Sequence, residues 1–170
     1  MAKASLTDPD IQARLRAIRL FILDVDGVLT DSRIQWIKGQ GWTRKFSVRD
    51  GYGLKRLKNV GIEVAIITAG DSEDVIERAK SLSIVHVYSG SEDKLVYYEE
   101  LKTKLGLEDK QIAYIGDDLF DIPVLERVGF SATVPGAVPE VKAMVDYITA
   151  VEGGFGATRE ISDAILDSRA

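Results

Sequence analysis

Two aspartates one residue apart follow a short apolar run in the first part of the chain. The run Leu20–Leu23 is too short for a free-standing helix and is typical of a strand buried on both faces. Asp24 and Asp26 come directly after it, at the end where open α/β sheets bind their ligands. Two like charges 4 Å apart repel by roughly 4 kcal/mol at an effective dielectric constant of about 20. The pair therefore predicts a bound cation and metal-assisted chemistry.

Three later strand ends are predicted to bring polar groups to the same edge. The second buried strand ends at Thr68, Lys94 begins the helix after the third strand, and Asp117 and Asp118 follow the fourth. This set suits phosphoryl transfer, which needs charge neutralisation and positioning more than elaborate acid–base chemistry. Oxygen donors alone, with no cysteine and a single distant histidine, favour Mg²⁺ over zinc.

The elements that must position these groups alternate between short strands and helices. That alternation predicts an α/β fold, a Rossmann-like parallel sheet with helices on both faces. Residues 31–50 contain two short aromatic and β-branched runs around a turn with glycines, which predicts a small β-hairpin flap and leaves no room for a cap domain. We expect residues 1–170 to form one domain.

Capping residues and terminating glycines predict where several helices begin and end. Ser72 is predicted to cap a helix that follows Thr68. Apolar spacing and terminating glycines predict helices over residues 51–58 and 122–128, and a strand near 131–134.

Composition excludes several classes of function. The net charge of −5 provides no basic stripe, so we expect no nucleic-acid partner. No apolar run approaches the roughly 20 residues of a membrane span, and the first residues lack the layout of a secretory signal. The chain has no cysteine, which excludes disulfides and a thiol nucleophile. A cytoplasmic location is the default expectation.

Four motifs in order carry a resemblance to a known superfamily. DVDGVLTD over residues 24–31, Thr68, Lys94 and GDDLFD over residues 116–121 resemble the four motifs of the haloacid dehalogenase superfamily of phosphohydrolases. A single one of these motifs would be a weak signal, because two aspartates one residue apart are common. The presence of all four motifs in this order, each at a strand end, is a strong signal.

Three longer segments resemble one particular family within this superfamily. SVRDGYGLKRL over residues 47–57, DDLFDIPVLERVG and GGFGATREISDAIL are similar to the capless 3-deoxy-D-manno-octulosonate 8-phosphate phosphatases, over about residues 20–166. The resemblance implies a Mg²⁺-dependent phosphomonoesterase. It would hydrolyse this ester to the free sugar acid and inorganic phosphate, through an aspartyl phosphate, in lipopolysaccharide precursor synthesis.

The resemblance also implies roles for the acidic cluster and its neighbours. Asp24 would attack phosphorus, and Asp26 would protonate the leaving sugar oxygen and then deprotonate water. Asp24, the backbone carbonyl of Asp26, and Asp117 would hold the metal. Thr68 would donate to a phosphoryl oxygen and Lys94 would balance its charge. Two further aspartates, Asp118 and Asp121, would orient Lys94 and metal-bound water.

The substrate contacts implied by the resemblance come mainly from the segment after the hairpin. Asp26 and Lys94 would also touch the substrate. The remaining expected contacts are Arg49, Asp50, Gly51, Lys55 and Arg78. One departure from the family pattern concerns the residues after Thr68, where the family usually has Gly-Arg and this chain has Ala69-Gly70. Either another cation replaces that arginine or the substrate differs.

The capless relatives form tetramers in which the hairpins join and a neighbour's surface closes the site. Ile34, Trp36, Ile37 and Trp42 would be exposed on so small a hairpin in a monomer, and a contiguous apolar patch usually marks an interface. We therefore expect a homotetramer. The two tryptophans could instead simply pack on each other across the hairpin.

Other functions remain open from the sequence. The nearest enzymatic alternative is a phosphatase for a nine-carbon keto sugar acid 9-phosphate. A different class is the phospho-acceptor signalling domain, which also combines acids, a threonine and a lysine on a parallel sheet. The strand that ends in Thr68 has no acceptor aspartate there, and repeated phosphate release would separate an enzyme from a switch. His86 is expected to be a strand residue without a chemical role.

Overall fold

Six strands form one parallel sheet and two form a separate antiparallel hairpin in the part of the chain that the structure describes, residues 5–170. The structure is a computed structural model. The strands are β1 Leu20–Leu23, β2 Gln35–Ile37, β3 Gly41–Thr43, β4 Glu63–Ile67, β5 His86–Tyr88, β6 Ile112–Ile115, β7 Phe130–Thr133 and β8 Tyr147–Ile148. The helices are α1 Pro9–Ala17, α2 Val48–Asn59, α3 Glu73–Ser81, α4 Lys94–Leu105, α5 Ile122–Leu125, α6 Pro139–Met144 and α7 Ala157–Asp167.

The parallel sheet has the strand order β5-β4-β1-β6-β7-β8. From β1 the chain builds outward to β4 and β5, then returns to the other side of β1 to add β6, β7 and β8. The last residue of β1, Leu23, pairs with Ile66 on one side and Ile115 on the other. Ligands of open parallel sheets bind where the strand order reverses, at the carboxyl ends, so this topology places a site beyond the end of β1.

Helices cover both faces of the sheet. Because crossovers between parallel strands are right-handed, the outward run places α2 and α3 on one face and the return run places α4, α5 and α6 on the other. The helix α7 packs against α2, and α1 packs against α7. The predicted fold class is confirmed, including the hairpin and the absence of a cap domain. Within residues 5–170, none of the helices is both long and apolar enough to cross a membrane.

The central strands are fully buried. All four residues of β1 and all four of β6 have no solvent exposure. Truncating one such leucine or isoleucine to alanine typically costs about 2–5 kcal/mol. This packing fixes β1, so the residue that follows it starts from a rigid position.

The hairpin stands apart from the sheet and exposes its aromatic side chains. Trp36 and Trp42 are directly opposite across β2 and β3, and their rings meet edge to face with centroids 5.3 Å apart. Even so, they remain 59% and 51% exposed. Both interpretations of the tryptophans therefore hold in part: the rings pack on each other, and they still leave an exposed apolar patch.

Several predicted bounds were wrong by a few residues. The helix predicted over 51–58 begins at Val48, because Ser47 caps it by accepting from the backbone N–H of Asp50. The helix predicted over 122–128 is shorter, since a 3₁₀ turn over Leu119–Asp121 precedes α5 and α5 ends at Leu125. Ser72 is the N-cap residue of α3, as predicted, but its hydroxyl makes no capping hydrogen bond.

Candidate active site

Asp24 lies at the carboxyl end of the central strand and is held there by the sheet. Its backbone N–H donates to the carbonyl of Ile115 at 3.0 Å, which extends the pairing of β1 with β6 by one residue. The side chain is almost completely buried. A carboxylate in such a position needs a partner, since an isolated buried charge is strongly unfavourable.

Lys94 supplies that partner from the first residue of α4. Its ammonium lies 2.8 Å from Asp24 Oδ1 and 2.7 Å from Asp121 Oδ1, and the side chain has no solvent exposure. The ammonium also lies 4.4 Å from the centroid of the Phe120 ring. One cation therefore joins two carboxylates inside the protein.

Each of the two carboxylate oxygens of Asp121 accepts two hydrogen bonds. Its Oδ1 accepts from Lys94 and from the hydroxyl of Tyr114 at 2.6 Å. Its Oδ2 accepts from the backbone N–H groups of Asp117 and Asp118, at 2.9 and 3.1 Å. A carboxylate offers about four lone-pair positions, and all are used. Asp121 is thus built to orient Lys94 and the loop after β6.

Asp117 is the acid at this edge that keeps a free acceptor. Its Oδ1 is buried and has no hydrogen-bond partner. Gly27 allows the backbone to pass close by: it has a φ of +89°, and a Cβ there would lie 1.9 Å from Asp117 Oδ2. Such an approach is possible only for glycine. A buried carboxylate oxygen without a donor is the expected state of a metal ligand.

The electrostatics of the cluster show an excess of negative charge. Burial raises the pKa of Asp24 well above its ordinary 3.8, Asp121 raises it further, and Lys94 opposes both. Burial and then Asp121 raise the pKa of Asp117 to about 7. For Lys94, burial alone would lower the pKa, but Asp24 and Asp121 outweigh it and raise it. Three acids face one cation, so a divalent ion would complete the balance.

The donor set fits Mg²⁺. Oxygens of Asp24, Asp117 and Asp121 lie within 4.8 Å of one another, and hard oxygen ligands are those that Mg²⁺ prefers. Because the lone pairs of Asp121 are occupied, Asp24 and Asp117 are the side chains free to bind the ion. The third predicted ligand, the backbone carbonyl of Asp26, stays a prediction.

Asp26 does not belong to this cluster and forms an ion pair with Arg44. Arg44 Nε lies 2.6 Å from Asp26 Oδ1, and Nη2 lies 3.0 Å from Oδ2. The Asp26 side chain is 37% exposed, whereas that of Arg44 is only 6% exposed. Asp26 is therefore accessible from solvent, and its role as a general acid stays a prediction.

Thr68 lies at the same edge of the sheet, at the end of the neighbouring strand β4. It directly follows β4, is 1% exposed, and its backbone N–H donates to the carbonyl of Tyr88. Its hydroxyl accepts a weak bond of 3.3 Å from the N–H of Gly70, which leaves its own proton available to a ligand.

Comparison with known proteins identifies the family. A model of haloacid dehalogenase-like hydrolases matches residues 72–154. The chain is 46% identical over 158 residues to 3-deoxy-D-manno-octulosonate 8-phosphate phosphatase KdsC of Yersinia pestis, covering 92% of this chain and 84% of that one. It is 43% identical over 157 residues to KdsC of Escherichia coli K12, with the same coverage. The chain belongs to the KdsC family.

A solved member of the KdsC family was crystallised with ligands. The 3-deoxy-D-manno-octulosonate 8-phosphate phosphatase of Moraxella catarrhalis, in complex with magnesium, phosphate and KDO, matches with a TM-score of 0.91 and 42% identity. The match covers 95% of this chain and 92% of that one. The superfamily resemblance and the finer family resemblance predicted from the motifs are both confirmed.

Three of the substrate contacts expected from the KdsC family pattern, Gly51, Lys55 and Arg78, line a small cavity of about 160 Å³. Their contact with substrate stays a prediction. Arg78 donates to the backbone carbonyl of Ser47 at 2.8 Å. Arg49 is exposed on α2.

Asp50 has a structural position. It is 1% exposed, and its Oδ1 accepts from the backbone N–H of Arg159 at 2.8 Å, in the first turn of α7. Burial raises the pKa of Asp50, and its bond to Arg159 acts against that shift. The carboxylate thus caps α7 from α2, and its role as a substrate contact stays a prediction.

Asp118 also has a local role. Its Oδ1 accepts from the backbone N–H of Leu119 at 2.7 Å and caps the 3₁₀ turn after β6. Its own N–H donates to Asp121. Asp118 therefore shapes the loop that presents Asp117.

Two residues at the site, Tyr114 and Arg44, were not predicted from the sequence. Tyr114 is fully buried in β6 and donates to Asp121. A tyrosine within a strand buried on both faces needs a partner for its hydroxyl, and that was the available signal. Arg44 has no such signal, because it follows β3 in a segment that could equally be exposed.

Proposed function

We propose that this chain is a Mg²⁺-dependent phosphomonoesterase that hydrolyses 3-deoxy-D-manno-octulosonate 8-phosphate to the free sugar acid and inorganic phosphate. The observation that carries the proposal is the arrangement of Asp24, Lys94 and Asp117 beyond the end of β1, in a chain 43–46% identical to curated KdsC enzymes. It would act in the synthesis of a lipopolysaccharide precursor, in the cytoplasm; cell fractionation tests the location.

Asp24 and Asp117 would hold the ion through their side chains. When bound, Mg²⁺ neutralises charge on the phosphoryl group and lowers the pKa of the ligating carboxylates. Asp24 is then ionised while Asp26, which does not contact the same cluster through its side chain, can carry a proton. Two acids one residue apart thereby take opposite roles because their environments differ.

In the first half-reaction an oxygen of Asp24 attacks phosphorus. The bond from phosphorus to the sugar oxygen breaks, and that oxygen takes the proton of Asp26. Lys94, held by Asp121, balances charge near the attacking carboxylate, and the Thr68 hydroxyl donates to a phosphoryl oxygen. The products of this step are the free sugar acid and an aspartyl phosphate on Asp24.

In the second half-reaction a water molecule attacks phosphorus. The ionised Asp26 takes a proton from the water, the bond from phosphorus to Asp24 breaks, and inorganic phosphate leaves. Asp26 is again protonated and Asp24 is again a carboxylate. The cycle therefore needs no further acid or base.

A cavity of about 410 Å³ opens beside Asp117 and Gly27, and Arg33 and Phe155 also line it. The ester assignment is tested with a panel of sugar phosphates that includes the eight-carbon and nine-carbon keto acids. A higher kcat/KM for the nine-carbon 9-phosphate would overturn the substrate assignment but leave the reaction class intact.

We propose that the enzyme is a homotetramer joined through its hairpins. Ile34, Trp36 and Trp42 are 49–59% exposed, an apolar group that association would cover. Light scattering tests this: a stable, fully active monomer would contradict it, and Trp36→Ser should weaken association.

A further inference from the structure

Arg44 joins three parts of the protein at the edge of the active site. It follows β3 of the hairpin, and two of its nitrogens bind the two oxygens of Asp26 at 2.6 and 3.0 Å. Its Nη1 lies 2.7 Å from the hydroxyl of Ser72 and 3.1 Å from Asp74 Oδ1, at the start of α3. The side chain is 6% exposed. A two-point arginine–carboxylate pair is a strongly oriented contact, and here its arginine side chain is buried.

The surrounding backbone makes room for this guanidinium. A Cβ placed on Gly70 would lie 3.2 Å from Arg44 Nη2 and 3.5 Å from Asp26 Oδ2. A larger side chain at position 70 would extend into the space that Arg44 fills. Gly70, two residues after Thr68, thus leaves the space that Arg44 fills.

The pairing matches one stage of the proposed reaction. Each oxygen of Asp26 accepts one N–H from Arg44, so each keeps a second lone pair for another donor. In the second half-reaction that donor is the attacking water, whose proton Asp26 must accept.

We propose that Arg44 is a positioning residue that holds the ionised carboxylate of Asp26 in place for the hydrolysis of the aspartyl phosphate. The inference rests on the proposed function. In that step the water oxygen bonds to phosphorus, one water proton moves to Asp26, and the bond between phosphorus and Asp24 breaks.

The test uses dinitrophenyl phosphate and the full chain with Mg²⁺. Dinitrophenolate leaves without a proton, so the first half-reaction with this ester does not need Asp26, and kcat/KM reports only the steps up to its departure. In Arg44→Met we expect a burst of about one dinitrophenolate per subunit. The following steady rate should be about tenfold below wild type, a part of the 10²–10⁴-fold that general acid–base catalysis contributes. The value of kcat/KM should stay within about threefold.

Two further variants make the result specific. Arg44→Lys keeps the charge but supplies no two-point fork, so its steady rate should lie between those of wild type and Arg44→Met. Lys45→Met removes the exposed neighbouring cation and should leave both parameters unchanged. Thermal unfolding of each variant reports any loss of folding separately.

Three outcomes would overturn the inference. These are kcat and kcat/KM falling together in Arg44→Met, no change in kcat, or a wild-type steady rate in Arg44→Lys. Failure of the proposed function has a different signature: Asp24→Asn would still release dinitrophenolate repeatedly, whatever the Arg44 variants do.

Discussion

Replacing Lys94 by methionine removes the one cation that joins two buried acids. The ammonium lies 2.8 and 2.7 Å from Asp24 and Asp121, with no solvent exposure. Removing one partner of a buried ion pair typically costs about 3–5 kcal/mol, because the remaining charge stays in the protein interior. Methionine fills much of the same space, so the loss is mainly electrostatic.

The loss of stability in this variant should depend on pH. Lys94 opposes the burial that raises the pKa of Asp24, so without it the folded variant holds a proton on Asp24 to a higher pH than wild type does. As pH rises through that interval, the variant loses stability relative to wild type by up to about 1.4 kcal/mol per pH unit. The difference from wild type should be about 3–5 kcal/mol at pH 7.5 and smaller at pH 5. The raised pKa of Asp117 affects both proteins and largely cancels.

Urea unfolding of both proteins without metal, followed by circular dichroism at the two pH values, measures this difference. Lys104→Met is the matched control, since Lys104 is exposed on the same helix and should change stability by less than about 0.5 kcal/mol. A loss below about 1 kcal/mol at pH 7.5 would refute the reasoning. So would a difference that does not shrink in acid.

Three further predictions concern the acids themselves. Asp24→Asn should remain folded and lose nearly all phosphate release from the sugar acid ester. Asp26→Asn should slow hydrolysis of the same ester by about a hundredfold or more, as lost general acid–base catalysis does; a rate near wild type would make Asp26 structural. Because burial and then Asp121 raise the pKa of Asp117 to about 7, the metal-free protein should lose stability as pH rises from about 4 to 7. Added Mg²⁺ should raise the stability of wild type at pH 7 but not that of Asp117→Asn, as measured by thermal unfolding.

The parts of the fold that local pattern determines were predicted well. The apolar run Leu20–Leu23 identified β1, and the strands predicted to end at Thr68 and before Asp117 are β4 and β6. Because the carboxyl ends of parallel strands meet at one edge of a sheet, the residue pattern alone was enough to place Asp24, Thr68 and Asp117 near one another.

The parts that depend on side-chain partners from distant segments were predicted poorly. Ser72 has the type and position of a helix cap, yet its hydroxyl donates to Asp74 and accepts from Arg44. No periodicity shows that an arginine 28 positions earlier reaches it. In the same way Asp50 lies in a family motif, but its burial depends on α7, which is formed by residues more than 100 positions later.

The role of Asp24 as the residue that carries the phosphoryl group can be tested directly. Enzyme with Mg²⁺ is mixed with the phosphorylated sugar acid, quenched in acid within one turnover, and reduced with borohydride. The reduction converts an aspartyl phosphate to homoserine, which mass spectrometry locates in the chain. We expect homoserine at position 24, and none there when the Asp24→Asn variant is treated in the same way. Rapid turnover with an unmodified Asp24, or a phosphoryl group on another residue, would contradict the assignment of the nucleophile.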